Sequence, residues 1–327
     1  MQPAGSRSGA GTGRRVYRTE SRPVIPSIVL LGNLLVDDVV LADGTTRMGQ
    51  PGGALLYGAL GATVWESRPG LVSVLGDDYP AQVLEKLQQR GVDLTGVHPL
   101  GRSGVRTWLL YEGDVRHLIH RLGCPTHEEV SPWPALIPSE WGAARAFHLA
   151  PMPFDVQRGL LTALCGHRPA FVSIDPHLPV TEETLHQWRE ALAHADAFFP
   201  GEDELQLEGA HVNPHQALPR LANGRLRFVV FKRGPKGGIL YDAHDERFYS
   251  WDARTAAVVD QTGAGDAFGV GLILAHLEGL PIEACLQRAV VTASFAVAGW
   301  GPEALLAATR ADAEARLGHW YGSEAHR

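Results

Sequence analysis

The densest chemistry in this chain lies in seven residues, Asp260-Gln261-Thr262-Gly263-Ala264-Gly265-Asp266. They follow the branched pair Val258-Val259, expected to end a strand, and lead into an apolar run over 267–277, expected to be helical. The first amides of a helix have no partner within it, and the helix dipole adds partial positive charge there. Glycines at 263 and 265 keep side chains out of the way, so residues 263–266 read as a cradle for phosphate. Asp266 puts a carboxylate inside that cradle. Such a group costs energy beside a phosphate unless it takes a proton from a nucleophile attacking that phosphate, which is phosphoryl transfer to a hydroxyl.

Taken alone, the same residues could be only a tight strand-to-helix turn with an acidic first-turn residue. A dinucleotide loop fits less well. Its G-x-G-x-x-G belongs to the first βα unit, with an acid about 20 residues further on, whereas here the motif comes late and its Asp is inside the turn. A P-loop is excluded because no Gly-Lys dipeptide occurs.

Elements able to hold such a loop recur along the chain. Residues 27–32 are a continuous apolar run of strand type, followed by Asn33, Asp37 and Asp38. Asp43-Gly44 then signals a hairpin, and Gln50-Pro51-Gly52-Gly53 leads to a small-residue helix over 54–64. This hairpin interrupts the alternation and is expected at the edge of the main sheet. Strands are expected at 71–76, 146–149, 171–174 and 197–199, with helices at 81–90, 155–165 and 182–194. A second hairpin is expected from 105–111 and 117–121 around Glu112-Gly113-Asp114. A short acidic helix at 202–208 precedes a strand at 228–231, with 239–241 and 248–251 as antiparallel partners. Two helices, 282–298 and 302–317, close the chain. Such alternation predicts an α/β fold: a three-layer sandwich whose central, mostly parallel sheet is flanked by helices. Ligands in such sheets sit beyond the carboxyl ends of the strands. The segments after the strands, Gly32-Asn33, Gly76-Asp77, Asp175-Pro176, Pro200-Gly201, Arg233-Gly234 and 263–265, are therefore expected to converge on one cleft.

Bulk properties narrow the function. The 327 residues suffice for a large buried core, and 45% hydrophobic with 20% charged residues is an ordinary globular composition. A net charge of −7 argues against nucleic acid as a partner. No apolar run is long enough to span a bilayer. Residues 1–24, rich in Gly, Ser and Arg, are expected to be a flexible leader without a secretory core, and 321–327 a tail. Cys124, Cys165 and Cys285 form no C-x-x-C and are expected to be buried thiols of a cytoplasmic protein. His117-x-x-His120 and His211-x-x-x-His215 have metal-like spacing but no third ligand nearby, and Trp133, Trp141 and Trp300 are expected to pack.

In its motifs and their order, the chain over residues 27–315 resembles the pfkB-type carbohydrate kinases, the ribokinase-like family. The closest match is 260–266, similar to the family's D-T-x-G-A-G-D, with Gln261 a departure. Further matches are Gly32 to Asp37, Gly52-Gly53, residues 71–78 with Gly91-Val92-Asp93, Asp175-Pro176 and the segment Lys232 to Gly238. The resemblance implies one kinase domain over 25–320 with a small β lid from about 36–50 and 104–122. It implies Asp266 as the base for the acceptor hydroxyl, with Gly263, Ala264 and Gly265 supplying the anion hole. Asn33, Asp37, Gly52, Gly53 and Arg106 would bind the acceptor; Arg116, His117 and Arg121 could also reach it from the lid. Lys232, Gly234, Gly237 and Thr262 would hold ATP. Glu204 would organise Mg²⁺ through water, and Asp260 a K⁺ ion. Gly201 stands where the family has Asn before that Glu, and Ala54 near where ribokinases carry an Asn to the sugar. The implied reaction moves the γ-phosphoryl of ATP to a hydroxyl of a small sugar or polyol, with a homodimer through the lid possible. A nucleoside kinase of the same fold, a silent sugar- or nucleotide-binding regulator and an NAD(P)-dependent oxidoreductase stay open as alternatives.

Overall fold

A computed structural model describes residues 25–112, 115–167, 169–254 and 257–322. The leader, the turn residues Gly113 and Asp114, the side chain of Arg116 and the end of the tail lie outside the described residues. From the amino end, β1 (Ile28–Leu31) leads into the hairpin β2 (Leu35–Val40) and β3 (Thr46–Gly52), then α1 (Ala54–Val64), β4 (Gly70–Leu75) and α2 (Ala81–Gln89). Next come β5 (Asp93–Pro99), the hairpin β6 (Arg106–Glu112) and β7 (Val115–His120), and α3 (His127–Val130). The middle of the chain forms β8 (Ala146–Leu149), α4 (Phe154–Leu164), β9 (Phe171–Ile174), β10 (Val180–Thr181) and α5 (Leu185–Leu192). After these come β11 (Ala197–Phe198), β12 (Leu205–Gln206), α6 (Pro214–Ala217), β13 (Phe228–Lys232), β14 (Gly238–Asp242) and β15 (Arg247–Trp251). Four helices finish the chain: α7 (Ala264–Leu277), α8 (Ile282–Ala296), α9 (Glu303–Ala307) and α10 (Arg310–Tyr321).

Nine strands form the central sheet in the order β15-β14-β13-β11-β9-β8-β1-β4-β5. All neighbours run parallel except β13–β14 and β14–β15. The strands β1, β4, β8 and β9 are buried throughout, because helices cover both faces and the pleat sends alternate side chains to each. Ile28 and Leu30 join one core with α1, α7 and α8, while Val29 and Leu31 join the other with α4 and α5. The three-layer α/β sandwich expected from the alternation is present.

Four departures from the sequence reading have physical causes. The first hairpin does not edge the main sheet; it joins β6 and β7 in a separate four-stranded sheet, β3-β2-β6-β7. Val258 and Val259 end no strand. They are 53% and 39% exposed, and the Val259 amide donates to the carbonyl of Val297 (2.8 Å) instead of to a neighbouring strand. The expected acidic helix at 202–208 is a turn followed by β12, which pairs with β10. The last helix breaks at Ala308, because Thr309 and Asp312 form a capping box that starts α10 afresh. Among the cysteines only Cys285 is buried; Cys165 is exposed, and so is Trp133.

Helix α7 is held by small residues. A β-carbon on Gly271 would stand 2.5 Å from Thr292 Oγ1 of α8, and one on Gly61 of α1 would stand 3.3 Å from the Cα of Ala267. Close backbone approach fixes where the α7 amino end points.

Candidate active site

The cradle is assembled at that amino end. Gly263 is the N-cap of α7 with φ 76°, and a β-carbon there would lie 1.9 Å from the Tyr57 ring. Both the left-handed backbone and the contact require glycine. Asp260 is buried and braces the loop: Oδ1 accepts from the Thr262 amide (2.9 Å) and Oδ2 from the Gly301 amide (3.1 Å). Tyr111 of β6 reaches the same place, its hydroxyl 3.2 Å from Thr262 Oγ1 and 3.4 Å from Asp260 Oδ1. The departure Gln261 is exposed, and its carbonyl accepts from the Ala264 amide (3.4 Å).

Lys232, at the end of β13, comes alongside. Its Nζ donates to Asp175 Oδ2 at 2.7 Å and would sit 3.2 Å from a β-carbon on Gly265. Burial alone would lower the Lys232 pKa, but the charges of Asp175, Glu204 and Asp266 outweigh it and raise it, so the ammonium stays charged. Burial pushes the partner Asp175 up to about 7 against the pull of Lys232. Three carboxylates face this one cation and keep it protonated. Three strand ends and the cradle thus converge, as the expected cleft requires.

The residues expected to bind the acceptor are gathered around β2. Asp37 is buried, and Thr107 of β6 donates its hydroxyl to Asp37 Oδ1. Gly52 must be glycine, because a β-carbon would meet Asp37 Oδ2 at 1.9 Å. At Gly53 (φ 97°) one would meet the Asn33 carbonyl at 2.3 Å. The Asn33 Oδ1 lies 3.3 Å from Ser131 Oγ, while its Nδ2 is buried with no partner among the described residues. Arg106, expected at the acceptor, is held to Asp38 by two bonds of 2.7 Å, and the Gly49 amide adds a third to the same carboxylate. His117 lies beside Glu112 on the exposed face of the lid.

Burial, then the charges of Asp260, Asp37 and Asp266, hold the Tyr57 phenol well above its ordinary pKa. One tyrosine therefore senses the cradle acid and the acceptor acid together.

The model of the pfkB family of carbohydrate kinases covers residues 35–306. This chain belongs to that family. The kinase is 29% identical to a cytidine kinase of Thermococcus kodakarensis over 280 residues, 84% of this chain and 97% of the relative. Its fold is that of an Arabidopsis thaliana ribokinase solved with ribose and ATP, with TM-score 0.70, 22% identity, and coverage of 90% of this chain and 99% of that one. An E. coli chain described as a ribokinase II, solved with ATP and Mg²⁺, superposes with TM-score 0.66 at 22% identity, covering 89% and 99%.

In this pfkB kinase the side expected to take nucleotide and metal is polar. Arg233 and Lys236 follow β13 and pair with Glu202 (3.7 and 3.0 Å), lining a groove of about 620 Å³ with Asp203, Gln206 and His211. Gly237 (φ 74°) passes so close to the Trp251 carbonyl that a β-carbon would lie 1.9 Å away; Gly234 (φ 51°) faces open space. Glu204 turns back on its own loop, Oε2 accepting from the Gly201 amide at 2.5 Å. A β-carbon on Gly201 would stand 2.8 Å from that oxygen, so the glycine lets the carboxylate fold in. Among the described residues no three His, Cys, Asp or Glu side chains could grip a bare ion. Glu204, Asp175 and Asp266 bring carboxylate charge to Lys232, and such hard oxygens are the donors that Mg²⁺ takes together with water and phosphate. No helix among the described residues is long and apolar enough to cross a membrane.

Several of these residues escape a sequence reading. Tyr57 and Thr107 carry no local motif; only the fold brings them to residues 206 and 70 positions away. Asp38 could have been separated from Asp37 by strand alternation, which sends adjacent side chains to opposite faces.

Proposed function

We propose that this pfkB-family kinase moves the γ-phosphoryl of ATP to a hydroxyl of a small sugar, polyol or nucleoside. Asp37 positions the acceptor. Asp266 takes the hydroxyl proton as the acceptor oxygen forms its bond to Pγ, and the bond from Pγ to the bridging oxygen breaks to release ADP. The amides of Ala264, Gly265 and Asp266 and the ammonium of Lys232 face the charge that spreads over the transferring group. Bound Mg²⁺ would neutralise part of that charge, and Glu204 would have to leave the Gly201 amide to meet its water shell. Thr262, Gly234 and Gly237 line the approach of the nucleotide. Asp260, both oxygens engaged by backbone amides, acts mainly as the brace of the loop; a monovalent cation would have to share it.

The observation that carries this reading is Asp266 in the first turn of α7, its charge felt by both Lys232 and Tyr57. Asp266→Asn keeps the shape and removes the base. Its turnover is expected to fall by about 10²–10⁴-fold while ATP still raises the melting temperature. Near-normal ADP release from that variant would refute the role. The silent-regulator alternative predicts no ADP release from the unaltered chain with any sugar, polyol or nucleoside.

A further inference from the structure

Three imidazoles from three separate segments meet beside the acceptor site. His120 ends the lid strand β7, His127 opens α3, and His177 follows Asp175 by two residues. The ring of His127 lies 4.8 Å from that of His120 and 5.0 Å from that of His177. His120 is the cross-strand partner of Thr107, whose hydroxyl binds Asp37, so the cluster stands one side chain from the acceptor acid on the same face of the lid.

The chemistry of this corner is unusual for a packing cluster. Both ring nitrogens of His127 are buried, and neither has a hydrogen-bond partner among the described residues. Asn33 Nδ2 is in the same condition, and the two residues are tied together, since Ser131 Oγ donates to the His127 carbonyl (2.6 Å) and lies 3.3 Å from Asn33 Oδ1. Polar atoms stripped of water without a partner cost free energy, and natural folds rarely keep several in one place without a use for them. Burial, then His177 and His120, push the His127 pKa down to about 4, so near neutral pH the ring is uncharged and offers one N–H and one lone pair. Burial likewise lowers His177. Neutral rings give no reason for an anion to settle there.

We propose that His127 determines which acceptor this kinase takes, by hydrogen-bonding the edge of a planar nitrogen heterocycle, the base of a nucleoside, whose sugar lies against Asp37. A base edge offers both donors and acceptors, and one nitrogen of a neutral imidazole can meet one of them, with Asn33 Nδ2 as a further donor. A bare sugar would leave the His127 nitrogens unused. The assignment rests on the phosphotransfer reading above and adds the acceptor class to it.

The test assays ADP release by the full chain with ATP and each of ribose, cytidine, uridine, adenosine and inosine. His127→Phe keeps a planar ring and removes both nitrogens. The ratio of kcat/KM for the best nucleoside to that for ribose is expected to fall about tenfold or more, chiefly through KM. His127→Asn, with one donor and one acceptor, should lie between the two. Should His127→Phe fail to fold, the same ratio is read on His127→Asn. A ratio that stays put in the variants, or an unaltered enzyme that prefers ribose to every nucleoside, overturns the assignment while phosphoryl transfer stands. If no acceptor releases ADP, phosphotransfer and this assignment fall together.

Discussion

Gly263 concentrates two demands at one residue. Its φ of 76° is open to glycine and strained for alanine, and the Tyr57 ring occupies the space where a β-carbon would go. Gly263→Ala must therefore either push Tyr57 aside or flatten the turn that begins α7. We expect a loss of about 1–3 kcal/mol of stability in urea unfolding and a turnover loss of at least about tenfold, since the cradle amides move with the turn. Unchanged turnover with lowered stability would show that the amides do not act on the transferring group. This glycine was legible in the sequence because its constraint is local: a turn, a helix start and an acid within four residues. Asp37 was legible as an acid after the first strand, but its environment was not. Thr107, Gly52 and the neighbour pair Asp38–Arg106 come to it through pairings of β2 with β3 and β6 that no spacing in the sequence announces.

The lid sheet reaches the cradle through Tyr111. Its hydroxyl is close to both Thr262 and Asp260, while Arg47 of β3 lies over the Trp300 ring (5.3 Å), next to the Gly301 amide that holds Asp260. The proposed acceptor and phosphate sites would thus share a mechanical link from β6 to the loop before α7. Tyr111→Phe keeps the ring and cuts the link. Contacts of 3.2 and 3.4 Å are at the weak end, so stability should change by less than about 1 kcal/mol. The kcat/KM for the acceptor should fall several-fold, about 3–10, if the contact positions the loop. Kinetics identical to the unaltered enzyme would make the contact incidental. Elements were legible where one signal ruled: continuous apolar runs gave β1, β4, β8, β9 and β13, and 3.6-residue spacing gave α2 and α4. They were not where tertiary pairing decided. Strand β5 carries Asp93, Gly96 and His98 and exists because β4 pairs with it; Gly96 is required there, since a β-carbon would stand 2.6 Å from the Leu71 carbonyl. The break before α10 could have been seen, because Thr309-x-x-Asp312 is a capping pattern in the sequence itself.

At the scale of the molecule, folding strips water from several titratable rings at once. Burial pushes His148, in the middle of the central sheet beside Ser173, down to about 3, with Lys232 adding to the shift. Burial also lowers His127 to about 4, and lowers His177 and His276. Each binds a proton more readily when unfolded, near the ordinary 6.5, than when folded. Between those values the unfolded chain holds more protons, so stability must fall as pH falls. Asp175 works the other way: its raised pKa makes the folded state the better proton binder between about 7 and 3.8. Four rings against one carboxyl set the sign. The urea midpoint is expected to drop steadily as pH is lowered from about 6.5 toward 4, before most carboxylates titrate. His127→Phe should make that slope shallower, because one of the four rings is gone. A midpoint level across this window, or a slope untouched by the substitution, would mean that these rings take up protons in the folded state as readily as in the unfolded one, and that the corner next to Asp37 is wetter than its geometry indicates.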